Sequence, residues 1–157
     1  KQIWMSQNLN FDAGEGCYVF DDKPSNAKKR GRLYTWDAAM RSVPKGWHIP
    51  SVKEWNEMEL AIGTKPDDVI EGAVSGKMSY KLAAGGSTGL NFRYCGIRSP
   101  EGKFQLGDEE HSMWTSTPKD DKKAFSRSFS FYYISIGRGP EDKGYGFSVR
   151  CVKDKNQ

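Results

Sequence analysis

The stretch VPKGWHIPSVKEW, residues 43–55, constrains the fold more than any other part of the chain. Its two prolines fix φ, and Pro50 biases the preceding residue away from the helical conformation. Ser51 is followed three residues later by Glu54, the spacing of a capping box. In that motif the serine oxygen accepts from the Glu54 amide, and the glutamate reaches back to the serine amide. The stretch therefore predicts a corner followed at once by a helix.

The helix predicted after this corner covers residues 51–63. Trp55, Met58 and Ile62 follow one another at helical spacing, and Gly63 is a natural C-terminal stop. An earlier short helix is predicted within residues 33–44, because Thr35 or Asp37 can cap it and a proline ends it.

Trp47 and His48 lie inside the corner, where a histidine raises the question of catalysis. A general base needs a proton to remove and usually a carboxylate that orients it, and the local pattern supplies neither. We therefore interpret both residues as structural, with Trp47 in the core and His48 bonded to loop carbonyls. A general base or metal ligand at His48 is the alternative.

The second half of the chain carries strand patterns, whereas the first half is mainly helical with loops. Separation of this kind predicts an α+β fold. In residues 124–136 the residues Phe125, Phe129, Phe131 and Tyr133 alternate with serines, which indicates a half-buried strand. Further strands are expected at 3–11, 16–20, 91–98, 102–107, 111–118 and 144–153, and residues 68–82 are ambiguous.

Length and charge limit the classes of function. A chain of 157 residues is the size of one domain, expected to be 1–157. The net charge of +4, from 24 basic and 20 acidic residues, is too mild and too mixed for a typical nucleic-acid binder. No apolar run is long enough to span a bilayer. The opening residues lack a signal peptide and an initiator Met, so we expect an excised domain or a mature form.

The metal-binding residue types are sparse. The cysteines at 17, 95 and 151 form no CxxC pair, and the two histidines form no HExxH motif. We therefore expect no cofactor and no transition-metal site. Asp108 and Glu109 lie in the acidic turn GDEEH, where oxygen ligands could collect around calcium, although the Glu-Pro-Asn and Gln-Pro-Asp triplets of calcium-dependent lectins are absent.

Six strings in order along the chain resemble the Fibrobacter succinogenes major paralogous domain family. They are WMSQNL, GRLYTWDAAM, PKGWHIPSVKEW, the set NF, GIR and GKF, then WTST and GFSVRCVKD. The resemblance implies a fold similar to C-type lectins and to the formylglycine-generating enzyme. That fold packs two helices on small, twisted antiparallel sheets with long loops. It also implies a protein that is secreted or surface-anchored, for example as a lipoprotein, of the kind found in Bacteroidetes and Fibrobacteres, with no catalytic activity.

The chain departs from the family pattern at two positions. Val43 stands where the family usually has cysteine, and Cys95 stands where many members have a small or apolar residue. Compared with the family pattern, this exchange implies a Cys95–Cys151 disulfide, which would leave Cys17 free or bonded elsewhere.

The resemblance favours a non-enzymatic recognition or adhesion module whose partner is a glycan or a surface protein. A structural surface module without a ligand is the second class, and a metal-dependent enzyme is the third. Ligand sites on such folds lie in loops, where aromatic rings and planar polar groups meet sugars. The candidates are Trp114, Tyr132, Tyr133, Arg98, Arg138, Asp108 and Glu109. Arg150 is expected to pair with a carboxylate such as Glu54, and the oligomeric state stays open.

Overall fold

The α-helices all precede Ala83 in the computed structural model, which describes residues 1–155; the last two residues of the predicted domain lie outside that range. Two short 3₁₀ helices, Phe20–Asp22 and Pro66–Asp68, lie among them. The helices are α1 (Pro24–Arg30), α2 (Trp36–Arg41), α3 (Val52–Ala61) and α4 (Ser79–Leu82).

The capping box predicted for the longest helix, α3, is confirmed. The Ser51 Oγ accepts from the Glu54 amide at 3.3 Å, and the Glu54 Oε2 accepts from the Ser51 amide at 2.9 Å. Two amides that a helix start leaves without partners are thereby satisfied. Helix α2 is likewise capped by Thr35, whose side chain accepts from the Ala38 amide. Local sequence signals therefore set where both helices begin.

Antiparallel sheets make up the rest of the fold. The largest has four strands in the order β4-β9-β8-β7, and the two-stranded sheets are β1-β2, β3-β10 and β5-β6. The strands are β1 (Cys17–Tyr18), β2 (Leu33–Tyr34), β3 (Trp47–His48), β4 (Val74–Ser75), β5 (Ile97–Arg98), β6 (Phe104–Gln105), β7 (Glu110–Pro118), β8 (Lys123–Ser130), β9 (Ile136–Asp142) and β10 (Val152–Lys153).

This architecture confirms the predicted α+β class, with several small antiparallel sheets and, over the residues described, no barrel. The structure has four α-helices where two were expected. The extra ones, α1 and α4, are short segments of 7 and 4 residues that carry little apolar periodicity. The finer C-type-lectin-like arrangement stays a prediction.

Two clusters of buried side chains form the core. One surrounds Trp114 and Phe147, and includes Tyr34 and Ile49. The other surrounds Trp55 on the inner face of α3, with Phe92 and Phe129 at 5.9 and 6.1 Å between ring centroids. Large rings therefore form the centre of both clusters.

Four of the expected strands differ from what the structure shows, and in 91–98 only Ile97–Arg98 is a regular strand. Residues 3–11 form no continuous strand, only a bridge from Trp4 to Val152 and backbone bonds to the end of the chain. Residues 144–153 likewise pair mostly through isolated bridges, so only β10 is regular there. Strand β8 ends at Ser130, and the next three aromatic residues leave the sheet. An apolar alternation alone does not supply a partner strand for the backbone groups.

Candidate functional site

Four exposed side chains follow β8 in the segment Phe131–Ile134, which we call the aromatic segment. Phe131, Tyr132 and Tyr133 are 69%, 65% and 67% exposed, and Ile134 is half exposed. Large apolar side chains that are this exposed and contiguous are uncommon on a folded protein and mark an interaction site.

Backbone hydrogen bonds hold the aromatic segment at both ends. The Phe131 amide donates to the Glu109 carbonyl at 2.7 Å, and the Ser79 amide donates to the Ile134 carbonyl at 2.9 Å. The Phe131 ring also packs edge-on against Tyr94, with 5.9 Å between centroids. The exposed rings therefore project from a segment whose backbone is tied to β7 and α4.

A groove of about 430 Å³ opens beside the aromatic segment. Its apolar wall is built by Tyr80, Tyr94, Phe131, Tyr133 and Ile134. Charged side chains complete the lining: Lys29, Arg30, Arg93 and Asp108. A concave surface with aromatic faces and a few planar polar groups is the usual form of a small-ligand site.

Asp108 does not offer a free carboxylate to this groove. Its Oδ1 lies 2.9 Å from the Arg30 Nη2, and the Arg30 Nη1 donates to the Gly107 carbonyl at 2.9 Å. The Arg30 side chain is only 10% exposed, whereas that of Asp108 is 77% exposed. The pair therefore fixes a planar guanidinium in the groove wall and compensates the charge of Asp108.

A second cavity, of about 440 Å³, shares Lys29, Arg30 and Arg93 with the groove. We call it the polar cavity, because its remaining lining is almost entirely hydrophilic: Ser6, Gln7, Asn8, Asn10, Ala27, Lys28, Gly31, Asn91 and Arg150.

The predicted ligand residues divide into two groups. Tyr133 and Asp108 line the groove. Tyr132 lies beside it with its ring edge-on to Phe131, at 5.7 Å between centroids. Glu109 anchors the aromatic segment through its carbonyl, and its own side chain is exposed.

The other three candidates, Trp114, Arg138 and Arg98, do not line the groove. Trp114 is fully buried, and its indole N–H donates to the Tyr34 carbonyl at 2.8 Å. Arg138 is buried and bonds Glu59 through its Nε at 3.1 Å. Arg98 stacks on the Tyr18 ring, with the guanidinium carbon 3.7 Å from the centroid.

The predicted Cys95–Cys151 disulfide is also wrong, since all three cysteines of the chain are free thiols. The Cys95 Sγ bonds the Arg93 carbonyl at 3.0 Å and accepts from the Asn8 amide nitrogen at 3.2 Å. Burial raises the pKa of Cys95 to about 11 and that of Cys151 to about 12. Both thiols therefore stay protonated and unreactive at neutral pH.

His48 bonds two carboxylates rather than the predicted backbone carbonyls. Its Nε2 lies 2.8 Å from the Glu54 Oε1, and its Nδ1 lies 2.7 Å from the Asp154 Oδ1. Partial burial on its own would lower the pKa of His48, but the hydrogen bonds and charges of the two carboxylates outweigh it, so the pKa is raised. With both ring nitrogens engaged, His48 joins the corner, α3 and the chain end.

His111 is enclosed in the aromatic core. It stacks on Phe129 with 4.7 Å between centroids, and burial lowers its pKa to about 3. Its ring is therefore neutral at physiological pH, and it lines neither the groove nor the polar cavity.

Arg150 does not form the expected pair with a carboxylate. Its Nε and Nη2 donate to the Asn8 Oδ1 at 3.0 and 2.7 Å, instead of pairing with Glu54. Its Nη1 donates to the carbonyls of Met5 and Leu90.

Several groove residues were not singled out from the sequence. Tyr80, Tyr94, Lys29 and Arg93 come from three separate stretches that only the tertiary fold brings together. Tyr80 could have been noticed in the sequence as an aromatic residue in a segment interrupted by two glycines. In the structure it is 55% exposed.

The described residues show neither a metal-binding cluster nor a membrane-spanning helix. Within residues 1–155, no group of three or more His, Cys, Asp and Glu side chains is placed to hold a metal ion. None of the helices there is long and apolar enough to cross a bilayer.

Comparison with protein families gives one match. The model of the Fibrobacter succinogenes major domain matches residues 1–153, almost the whole chain. The chain belongs to the Fibrobacter succinogenes major domain family. Comparisons with curated proteins and with solved structures give no match.

In this Fibrobacter succinogenes major domain, the two longest family-like strings build the scaffold rather than the groove. The string at 31–40 contains the buried Tyr34 and the cap of α2, and the string at 44–55 contains His48 and the buried Trp55. Tyr80 and Tyr133 of the groove lie outside both strings. The residues that identify the family and the residues that line the groove are therefore largely different.

Proposed function

We propose that this domain is a non-enzymatic recognition module, exported to the cell surface or the periplasm, that binds a glycan in the aromatic groove. The observation that carries the proposal is the aromatic segment, whose three rings are each about two-thirds exposed. Such rings stack on the apolar face of a pyranose, while neighbouring arginine and aspartate groups bond its hydroxyls.

The groove has the materials that sugar binding requires. Tyr80 and Tyr133 offer both an aromatic face and a hydroxyl, and the Arg30–Asp108 pair offers a fixed planar array of donors and acceptors. Because the backbone of the aromatic segment is tied down at Glu109 and Ser79, its rings lose less conformational entropy on binding.

A protein partner is the second candidate. Phe131 and Ile134 carry no polar atom beyond the backbone, and they continue the exposed surface of Tyr132 and Tyr133. A contiguous apolar patch of this kind also suits a protein interface. In a structural module without a ligand, these exposed rings would stay in contact with water, which is unfavourable for a contiguous apolar patch.

The observations offer little support for an enzymatic role. A catalyst that used histidine would need it beside a nucleophile in a pocket. His111 is fully enclosed and His48 is engaged by two carboxylates.

A glycan array, run with calcium and with EDTA, tests the proposal on the purified domain. We expect binding that is indifferent to EDTA and that falls at least about tenfold in Tyr133→Ala and in Tyr80→Ala, as removal of a stacking ring predicts. Binding lost in EDTA would instead indicate calcium-dependent recognition.

Phe11→Ala is the matched control for these variants. Phe11 is an aromatic residue with 59% exposure that lines neither the groove nor the polar cavity. Its described hydrogen bonds use the backbone carbonyl, which accepts from the Tyr34 hydroxyl and the Cys17 thiol and is kept in the variant. If no glycan binds and a protein partner is captured through Phe131 and Ile134, the second candidate replaces the first.

A further inference from the structure

The polar cavity beside the groove is lined by five basic side chains and by no acidic one. The basic residues are Lys28, Lys29, Arg30, Arg93 and Arg150. Arg30 is compensated by Asp108. The other four have no carboxylate within 4.0 Å in residues 1–155. The net charge of the whole chain is only +4, so this excess of basic side chains is local to the polar cavity.

Arg150 is the most informative of these residues, because it is 2% exposed. Its described hydrogen bonds go to neutral acceptors only: the Asn8 Oδ1 and the carbonyls of Met5 and Leu90. These bonds use four of the five N–H groups of the guanidinium. Burial lowers the pKa of Arg150 only to about 10, so the group is charged at neutral pH.

A buried charge without a counter-charge is costly, and proteins normally pair it. The two other arginines with almost no exposure in this chain, Arg127 and Arg138, are both bonded to Glu59. Arg150 differs from them in bordering a cavity large enough to admit a ligand group. An anion in that cavity would supply the missing counter-charge and the remaining acceptor.

Asn8 holds this arrangement in place. Its Nδ2 donates to the Arg30 carbonyl at 3.0 Å, and its Oδ1 accepts twice from Arg150. The amide is therefore oriented by its partners, and the guanidinium is positioned before any ligand arrives. Such preorganisation lowers the cost of binding an anion.

The groove and the polar cavity are contiguous, since both are lined by Lys29, Arg30 and Arg93. We infer that the polar cavity binds an anionic substituent, a carboxylate or a sulfate, of the sugar that stacks in the groove, so that the ligand is an acidic glycan. This inference rests on the proposed function and specifies its ligand class.

Stacking rings next to basic groups also occur in proteins that bind single-stranded nucleic acid. Such sites, however, are long positive grooves that follow several phosphates. Here the basic residues surround one cavity, and Asp108 stands on the wall of the groove. The arrangement suits a single charged group beside a neutral ring.

A matched pair of oligosaccharides tests the inference by calorimetry on the intact domain. One is a glucuronate-containing hexasaccharide, and the other is its carboxyl-reduced form, which has the same rings without the charge. We expect the acidic form to bind about tenfold more tightly, with an advantage that shrinks as salt is added. The Lys28→Ala variant changes a residue that lines the polar cavity and not the groove, so it should reduce that advantage and keep the affinity for the reduced form. A sulfated hexasaccharide shows which anion is preferred.

Lys122→Ala is the control for removal of an exposed positive charge, since Lys122 lies in the β7–β8 turn and lines neither cavity. An independent readout is the Arg150 Nε–Hε resonance during titration with inorganic sulfate. A saturable shift of that signal, weakened in Lys28→Ala, supports the anion site without any glycan. An unmoved signal overturns it.

The remaining outcomes separate the inference from the proposed function. Equal affinity for the two hexasaccharides overturns the inference and leaves glycan binding in the groove intact. If neither hexasaccharide binds, the proposed function fails and the glycan part of the inference fails with it, while the sulfate titration still decides the anion site. Tighter binding of a single-stranded oligonucleotide than of the acidic hexasaccharide overturns the glycan in favour of nucleic acid.

Discussion

Arg127 and Glu59 form an ion pair in which neither side chain has any exposed surface. The Arg127 Nε lies 3.1 Å from the Glu59 Oε1. Glu59 also bonds Arg138 through its other oxygen, and Glu71, Asn56 and the Ser126 carbonyl accept from the remaining donors of Arg127. The pair joins α3 to the central strands β8 and β9, so the longest helix is fixed to the main sheet by charge as well as by the rings around Trp55.

Glu59→Ala should destabilise the fold by about 3–5 kcal/mol, because it leaves two buried guanidinium groups without their shared carboxylate. Urea unfolding measures this as a lower midpoint at unchanged slope. Glu57→Ala is the control, since Glu57 is an exposed carboxylate on the same helix and should change stability by less than about 0.5 kcal/mol. Equal effects from the two variants would contradict the structural role given to Glu59.

The His48 cluster predicts a particular dependence of stability on pH. The pKa of folded His48 lies above its ordinary value of 6.5, so its contribution is fully present below pH 6.5 and is lost as pH rises through the raised pKa. Burial on its own would raise the pKa of Glu54, but its bonds to Ser51 and His48 outweigh this and lower it below 4.5. The Glu54 contribution is therefore present above pH 4.5 and is lost as pH falls through the lowered pKa.

His48→Gln should consequently be most destabilising between about pH 5 and 6.5 and nearly neutral in alkaline solution. The His48 side chain is 36% exposed, so solvent screening limits the effect to about 1 kcal/mol. Thermal unfolding of the variant and the parent across this range measures the difference. Glu57→Gln should give a profile parallel to the parent, and a His48→Gln difference that grows with pH would refute the cluster.

The thiols should differ sharply in reactivity. Cys95 and Cys151 are buried with raised pKa values, whereas Cys17 is partly exposed. An aromatic disulfide reagent at about pH 8 should therefore modify one thiol of the native protein and all three after denaturation. Cys17→Ser should abolish the native reaction. Detection of a single thiol in denaturant without reductant would restore the Cys95–Cys151 disulfide.

Trp114→Ala should act on stability rather than on ligand binding. The side chain is fully buried, its ring lies 4.4 Å from that of Phe147, and its N–H bonds the Tyr34 carbonyl. We expect a loss of about 3–5 kcal/mol in urea unfolding. Tyr132→Ala, which removes a ring that is 65% exposed, should cost less than about 0.5 kcal/mol. A Trp114→Ala protein of normal stability that no longer bound glycan would reverse this assignment.

The sequence was most informative where local chemistry decides the structure. The Ser51–Glu54 capping box and the Thr35 cap depend on residues within one helical turn, so they could be predicted from spacing. Strands β5, β6 and β7 also lie within segments that were predicted as strands. The strand predicted at residues 3–11 is not formed, because an apolar alternation does not show whether a partner backbone lies in register.

The candidate site was predicted only in part, because exposure depends on where a strand ends. Trp114 and Tyr133 were both aromatic candidates, yet one is in the core and the other lies beyond the end of β8. Arg127 could have been noticed, since it shares the inward phase of Phe125 and Phe129, where a charged residue requires a buried partner. That partner, Glu59, is 68 residues away, beyond the reach of any local rule.

Two main-chain hydrogen bonds hold the ends of the aromatic segment, beside weaker side-chain bonds from Ser79 and Ser130. The Phe131 amide, the Glu109 carbonyl, the Ile134 carbonyl and the Ser79 amide would form the same bonds whatever side chains positions 131–134 carried, proline at 131 excepted. Substitutions at positions 131–134 should therefore preserve both bonds and the path of the backbone, while changing which ligand the exposed side chains can bind.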